Sequence, residues 1–284
     1  MSMDQYLRHM KALPVNPSIA AKVLVMLDRQ DFSFKQLEEI ISADPGLTAK
    51  ILKIANSALY ARQNQVTKLQ TAITLLGINM IKNLVVLFTG AGLFSGYGKS
   101  RFCSLFWRHS LSTAFISKDL SLRYGLQMMA EEAFIAGLLH NVGQVALFMH
   151  DPAAYETILT AVLTEGGRFS AMELPKYGAS HREVGGALLE QWLFPEIYSD
   201  CAKEHGESNI ASRWKQLIQY VSVAAFIAGN WVYFEEEPKP YALLDPLLDT
   251  LGLDSQGIYT YQAEYQNVLK QDKFYQECQG LIKS

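Results

Sequence analysis

Cysteine is scarce in this chain. Cys103, Cys201 and Cys278 are the only three in 284 residues, 98 and 77 residues apart. Such spacing fits no zinc-ligand pattern and no disulfide framework, and isolated thiols suit a reducing compartment. Charge of one sign is also lacking: 25 Lys and Arg stand against 28 Asp and Glu, for a net charge of −3. A surface that tracks nucleic-acid phosphates carries a basic excess, so no nucleic-acid partner is expected. The longest nearly apolar runs, residues 84–94 and 221–234, fall short of the roughly 20 residues of a membrane span. The first nine residues include Asp4, Arg8 and His9 and lack the apolar core of a signal peptide. Repeats, low-complexity tracts and strand-type alternation are missing as well. These absences leave a cytoplasmic protein with no membrane attachment as the expectation. With 49% hydrophobic residues, the chain has enough apolar surface for a large core.

Helical periodicity and helix-start signals fill the sequence and predict an all-α fold. Ser33 with Gln36, Thr67 with Gln70, and Ser180 with Glu183 have the spacing of capping boxes, in which two side chains satisfy each other's orphan amides. Asp44-Pro45 places an acceptor at an N-cap and Pro at the first helical position. Leu37, Ile40 and Ile41 share a face after the first box, and Leu47, Ile51, Leu52 and Ala55 follow at helical spacing. Beyond Thr67 the apolar pattern runs through Ile73 and Leu76 and, past Gly77, Ile81, Leu84 and Val85. Residues 95–101 predict a loop. Helices are expected over about 103–124 and 129–140, from Ser180 to before Pro195, and over a long buried stretch at 212–234. The charged, Pro-containing segment 235–240 breaks the chain, and amphipathic helices follow.

Four of the six histidines fall on inward faces or at helix ends. His109 shares a stripe with Phe106, Thr113, Ile116 and Leu120. His140 ends its helix. His181 follows the Ser180 cap on the face of Val184, Leu188 and Trp192, and His205 closes a short helix after Pro195. Gaps of 31, 41 and 24 residues match no local metal motif, so only tertiary folding can gather them. His9 and His150 match no pattern and read as surface residues. Asn56-Ser57 reads as a helix end whose short polar side chains bond the backbone. Gly185-Gly186 reads as close helix packing, since no P-loop Lys-Ser/Thr follows. The aromatic tail, with Tyr259, Tyr261, Tyr265, Phe274 and Tyr275, is either a docking surface or a segment folded back on the domain.

Several of these stretches resemble the HDOD domain, an HD-related output domain of bacterial signalling proteins. The resemblance rests on Leu13-Pro14, Pro17, residues 41–48, 51–58 and 72–77, then Trp107-Arg108-His109-Ser110, residues 137–143, and His181 with Val184-Gly185, Leu188-Leu189, Trp192 and Pro195. It implies a leader over 1–12 and an HDOD domain over 13–207. Within that domain, a helical module over 13–95 would precede an HD-like core over 102–207. A helical extension over 208–284 would complete the chain. The resemblance also implies a regulatory module that acts through protein contacts.

Active HD phosphohydrolases resemble a cage of histidines, an adjacent His-Asp pair and a distant Asp around divalent ions. By that resemblance Asn141 stands where Asp is expected, Gln144 where Lys is expected, and Ala225 where the distant Asp would fall. No acidic residue lies between Glu207 and Glu235, so no shift of register supplies one. An amide carbonyl is a weaker ligand than a carboxylate, and hard ions prefer oxygen donors. The expected reading is a degenerate centre with no catalytic residues and no cofactor, in which His109, His140, His181 and His205 survive as core or cleft residues. A bound Zn, Ni or Fe on those four histidines is the alternative, with Glu204 beside His205 restoring one carboxylate. The function expected is non-catalytic signalling through one or more protein partners, with room for a small ligand in the old cleft. The rivals are a metal-dependent phosphohydrolase acting on a nucleotide or cyclic nucleotide, and a metal- or redox-sensing module.

Overall fold

The computed structural model describes residues 17–29, 32–60, 65–93, 100–236, 238–240 and 244–283. All regular elements among the described residues are helices. The first lobe holds α1 (Ser18–Leu27), α2 (Phe34–Ser42), α3 (Pro45–Ala55), α4 (Leu69–Leu76) and α5 (Ile78–Gly92). Ser33 and Gln36 form the expected capping box ahead of α2, and the Asp44 carboxylate accepts from the Leu47 amide at the start of α3. Leu37, Ile41, Leu47, Ile51 and Ala55 are buried as their spacing predicts.

The second lobe begins with α6 (Arg101–Arg123), capped by the Ser100 hydroxyl. Of the loop expected over 95–101, residues 95–99 lie outside the described residues, and Arg101 is already helical. Then follow α7 (Ala130–Leu139), α8 (Val142–His150), α9 (Pro152–Glu165), α10 (Phe169–Tyr177), α11 (His181–Gln191), α12 (Glu196–Glu204) and α13 (Lys215–Val232). Helix α6 is the axis of this lobe, lying against α7 and α13, while α11 packs on α8 and α12. The lobes meet where α5 lies on α7. There Lys82 Nζ reaches Glu132 at 2.9 Å, Asn83 donates to Glu131 at 2.8 Å, and Lys118 Nζ reaches the other Glu131 oxygen at 2.6 Å. After α13 come α14 (Asp245–Leu248), α15 (Ser255–Gln271) and α16 (Lys273–Lys283).

Several expectations change. Thr67 and Gln70 form no capping box: Lys68 is the N-cap of α4, with extended backbone and no side-chain bond. The cause lies upstream. Asn56 bridges to Val66, accepting its N–H at 2.8 Å and donating to its carbonyl at 2.7 Å. That clamp fixes the chain before Thr67 and confirms Asn56 as a backbone tie. At Gly77, φ is +79° and the axes of α4 and α5 differ by 113°, a turn that glycine takes without steric cost. His150 is half-buried with its ring against Tyr177, 6.5 Å between centroids, and is no ordinary surface residue; His9 lies outside the described residues. The stretch 127–150, beyond the two apolar runs named above, is by length and composition apolar enough to cross a bilayer. Its most apolar window is 89% buried within the protein.

The tail folds back on α6. Tyr261 donates to Asp119 at 2.9 Å, Tyr265 to the Phe115 carbonyl at 3.2 Å, and the Tyr275 and Ser112 hydroxyls lie 2.9 Å apart. Phe274 and Tyr275 flank Phe115, whereas Tyr259 is exposed.

Helix α11 ends in a Schellman motif with an unusual occupant. The Phe194 amide bonds the Leu189 carbonyl at 2.9 Å and the Leu193 amide bonds the Glu190 carbonyl at 3.0 Å. Glycine normally holds the left-handed position of this motif. Here it is Leu193, at φ +61° and 76% exposed. A left-handed backbone costs a side-chain-bearing residue roughly 1–2 kcal/mol, and so exposed a side chain offers little burial in return. Leu193→Gly is therefore expected to stabilise the protein by about 1 kcal/mol, read as a higher denaturation midpoint in urea. An unchanged or lower midpoint refutes the strain.

Candidate functional site

The histidines are brought together by glycines. A Cβ on Gly137 of α7 would lie 2.9 Å from the Ala114 Cα and the Ser117 Oγ of α6, so α7 seats directly on the α6 backbone. A Cβ on Gly143 of α8 would lie 1.9 Å from the His181 carbonyl oxygen and 2.5 Å from the Gly185 amide of α11. Two backbones touch there with nothing between them. Gly186, next along α11, faces the Lys203 stem of α12, where a Cβ would meet Cγ at 2.3 Å. The pair Gly185-Gly186 thus serves helix packing, as its sequence context suggests. These contacts set the end of α7, the start of α11 and the end of α12 around the His109 face of α6.

The imidazoles form a connected row. His109 and His140 approach through their Nε2 atoms at 3.2 Å. Ring centroids lie 5.2 Å apart for His109 and His140, 4.9 Å for His140 and His205, and 5.6 Å for His181 and His205. All four are buried. Three have the Nδ1 side engaged by the protein. His140 Nδ1–H donates to the Gly137 carbonyl at 2.7 Å, and His205 Nδ1–H to the Ala202 and Cys201 carbonyls at 3.0 and 3.1 Å. His181 Nδ1–H donates to Glu173 at 2.6 Å. Burial pushes the His140 imidazole down to about 3, aided by His181 and opposed in part by the Gly137 bond. His109 and His205 are held well below the ordinary histidine range, first by burial and then by the neighbouring histidines. These three rings are therefore neutral at pH 7.

Asn141 sits at the α7–α8 junction beside His140, buried, and its Oδ1 finds no partner among the described residues; the same holds for Gln144 Oε1 one turn on. Glu204 does not join the row. Its carboxylate accepts from the Ala211 and Ser212 amides at 2.8 and 3.1 Å, so the acid that the metal-bound alternative would draw on is engaged elsewhere. Ala225 is half-buried on α13, one turn beyond Ser222, whose hydroxyl takes the Gly206 amide.

Two residues outside the sequence reading complete the site. Glu173, on α10 and wholly buried, accepts the His181 amide at 2.8 Å besides its imidazole, and the Tyr155 hydroxyl at 2.5 Å. Burial alone would raise its pKa, yet the His181 ring and these hydrogen bonds outweigh it and hold the carboxyl below its usual range. Tyr233, just past α13, lies 5.0 Å from the His109 ring and 5.9 Å from Phe169, closing the outer end of the row. Neither carries a local signal: both meet the histidines from helices that only the tertiary fold brings near.

The donor set does not fit a hard divalent cation. The Nε2 atoms of His109 and His140 face each other at hydrogen-bond distance, and Glu173 is engaged by His181 and Tyr155. Among the described residues no group of three His, Cys, Asp or Glu is placed to hold a metal ion.

An all-helical core gathering histidines from several helices defines an HD-type architecture. The chain belongs to the HDOD domain family, which it matches over residues 13–208. An HDOD protein of unknown function from Geobacter sulfurreducens superposes with a TM-score of 0.73 at 24% identity, covering 99% of this chain and 97% of that one. A protein from Shewanella amazonensis SB2B, provisionally described as a phosphohydrolase, gives 0.71 at 24% identity over 99% and 98%. One from Marinobacter aquaeolei VT8, provisionally described as a signal transduction protein, gives 0.76 at 17% identity over 96% of this chain and 60% of its own. An uncharacterized protein of Treponema pallidum (strain Nichols) is 22% identical over 232 residues, 80% of this chain but only 45% of that relative's length.

Proposed function

We propose that this HDOD chain is a non-catalytic signalling module that works through protein contacts and has lost hydrolase chemistry. The donor set carries this reading. Four imidazoles and two neutral amides occupy the old centre, Glu204 is tied to a loop, and α13 bears no acid. Metal-assisted hydrolysis needs an ion that activates a water, and oxygen-seeking ions find no free carboxylate here. Purified protein is expected to turn over neither phosphodiesters nor phosphomonoesters with Mg²⁺, Mn²⁺, Fe²⁺ or Ni²⁺. Turnover above blank that vanishes in His140→Ala overturns the proposal and promotes the phosphohydrolase reading.

A second reading is favoured by one observation. The Nδ1–H groups of His140, His181 and His205 are all anchored, the outer-shell pattern that orients imidazoles toward a metal. An imidazole-tolerant ion such as Zn, Ni or Fe, sensed without hydrolysis, would use it after the His109–His140 contact opened. Elemental analysis of protein purified without chelator, with its visible absorption spectrum, separates this reading from the first.

A further inference from the structure

A cavity of about 170 Å³ lies between the HDOD core and the tail, away from the histidine row. Arg108 of α6, Trp231 of α13, Glu235, Leu269 and Lys270 of α15 and Tyr275 of α16 line it. Among the described residues neither Arg108 nor Lys270 pairs with a carboxylate. The two cations and the single acid leave the wall with a charge of +1. Trp231, Leu269 and Tyr275 supply an apolar and aromatic body. Trp231 is 7% exposed and its indole N–H finds no acceptor among the described residues, an unsatisfied donor of the kind that costs free energy when buried. Arg108 also lies near enough to the Tyr233 and Tyr275 phenols to oppose, in part, the rise that burial imposes on both.

The geometry points to a binding site for a small amphipathic anion, an aromatic or aliphatic body bearing one carboxylate or phosphate. The anion neutralises the excess cation. The apolar body covers Trp231 and Leu269. A cavity of this size suits a ligand about as large as a substituted benzene ring, since an apolar cavity of about 150 Å³ can hold benzene. Such a ligand touches α6, α13, α15 and α16 together, so it would pin the tail to the core. This site is independent of the non-catalytic reading and uses none of the four histidines.

The test is isothermal titration of the full chain with benzoate, phenyl phosphate and inorganic phosphate, with tryptophan fluorescence in parallel. Benzoate and phenyl phosphate are expected to bind and to raise the melting temperature, since a ligand specific to the folded state stabilises it. The two probes distinguish a carboxylate site from a phosphate site. The double change Arg108→Gln plus Lys270→Gln, both exposed positions, is expected to weaken binding roughly tenfold or more, as charge-assisted hydrogen bonds are lost. Glu235→Gln removes the one opposing charge and is expected to tighten it. The opposite signs of these effects separate a charge-selective site from a general loss of structure. Absence of binding by both aromatic probes at millimolar concentration, inorganic phosphate binding as well as phenyl phosphate, or affinity indifferent to all three substitutions each overturns the proposal.

Discussion

Gly143→Ala is expected to destabilise the protein by about 3 kcal/mol or more, the upper range of what overpacking costs. The added methyl group would stand 1.9 Å from the His181 carbonyl oxygen and 2.5 Å from the Gly185 amide. Both are backbone atoms, so no side chain can swing aside; α8 and α11 must separate. The gain in helix propensity, about 1 kcal/mol, falls short of that cost. In a chain this long, each kcal/mol moves the melting temperature by roughly 2–4 °C, so a drop of about 6 °C or more is expected. Gly280→Ala in α16, where nothing lies within 4 Å of the new Cβ, serves as the control and should be neutral or slightly stabilising. Equal melting temperatures for Gly143→Ala and the parent would show that the two backbones do not touch.

Stability is expected to fall steeply as pH drops below about 6.5, the ordinary value for histidine. Above it, His109, His140 and His205 are neutral both folded and unfolded, and their contribution to stability is fully present. Below it, the unfolded chain takes up protons that the folded core excludes, down to about pH 3 for His140, while His109 and His205 are likewise held well below the ordinary value. Each such histidine costs about 1.4 kcal/mol per pH unit across that window, and three together about 4. With a domain stability of about 5–15 kcal/mol, unfolding should come between roughly pH 5 and pH 3. Glu173 adds to the loss below its unfolded value of about 4.5, because its lowered folded-state pKa favours the charged native form. Urea midpoints measured from pH 8 to pH 4.5 read this directly. A midpoint unchanged between pH 7 and pH 5 would mean that the folded row accepts protons readily and is wet.

Much of this site was legible in sequence because its signals are local. The Ser180 box fixes the start of α11 and so the place of His181, and the stripe of Phe106, Thr113, Ile116 and Leu120 turns His109 inward as written. Thr67 misled because the register there is set from a distance, by Asn56 acting on Val66. Glu204 misled because neighbours in sequence are not neighbours in direction. Successive helical side chains point well apart, so the residue before an inward His205 points to the 211–212 loop. Glu173 was invisible because it acts across a helix break, from α10 onto the first turn of α11. No periodicity marks a single buried acid as the partner of a particular ring.

The HDOD match stops at residue 208, but the buried interior does not. Helix α13 packs on α6, and the tail tyrosines reach α6 at Ser112, Phe115 and Asp119. A chain cut at the edge of the family match would strip both contacts from α6 and leave His109 without Tyr233 beside it. The edge of the family match and the edge of the packed unit therefore differ, and a cut at residue 208 would pass through the central helix packing.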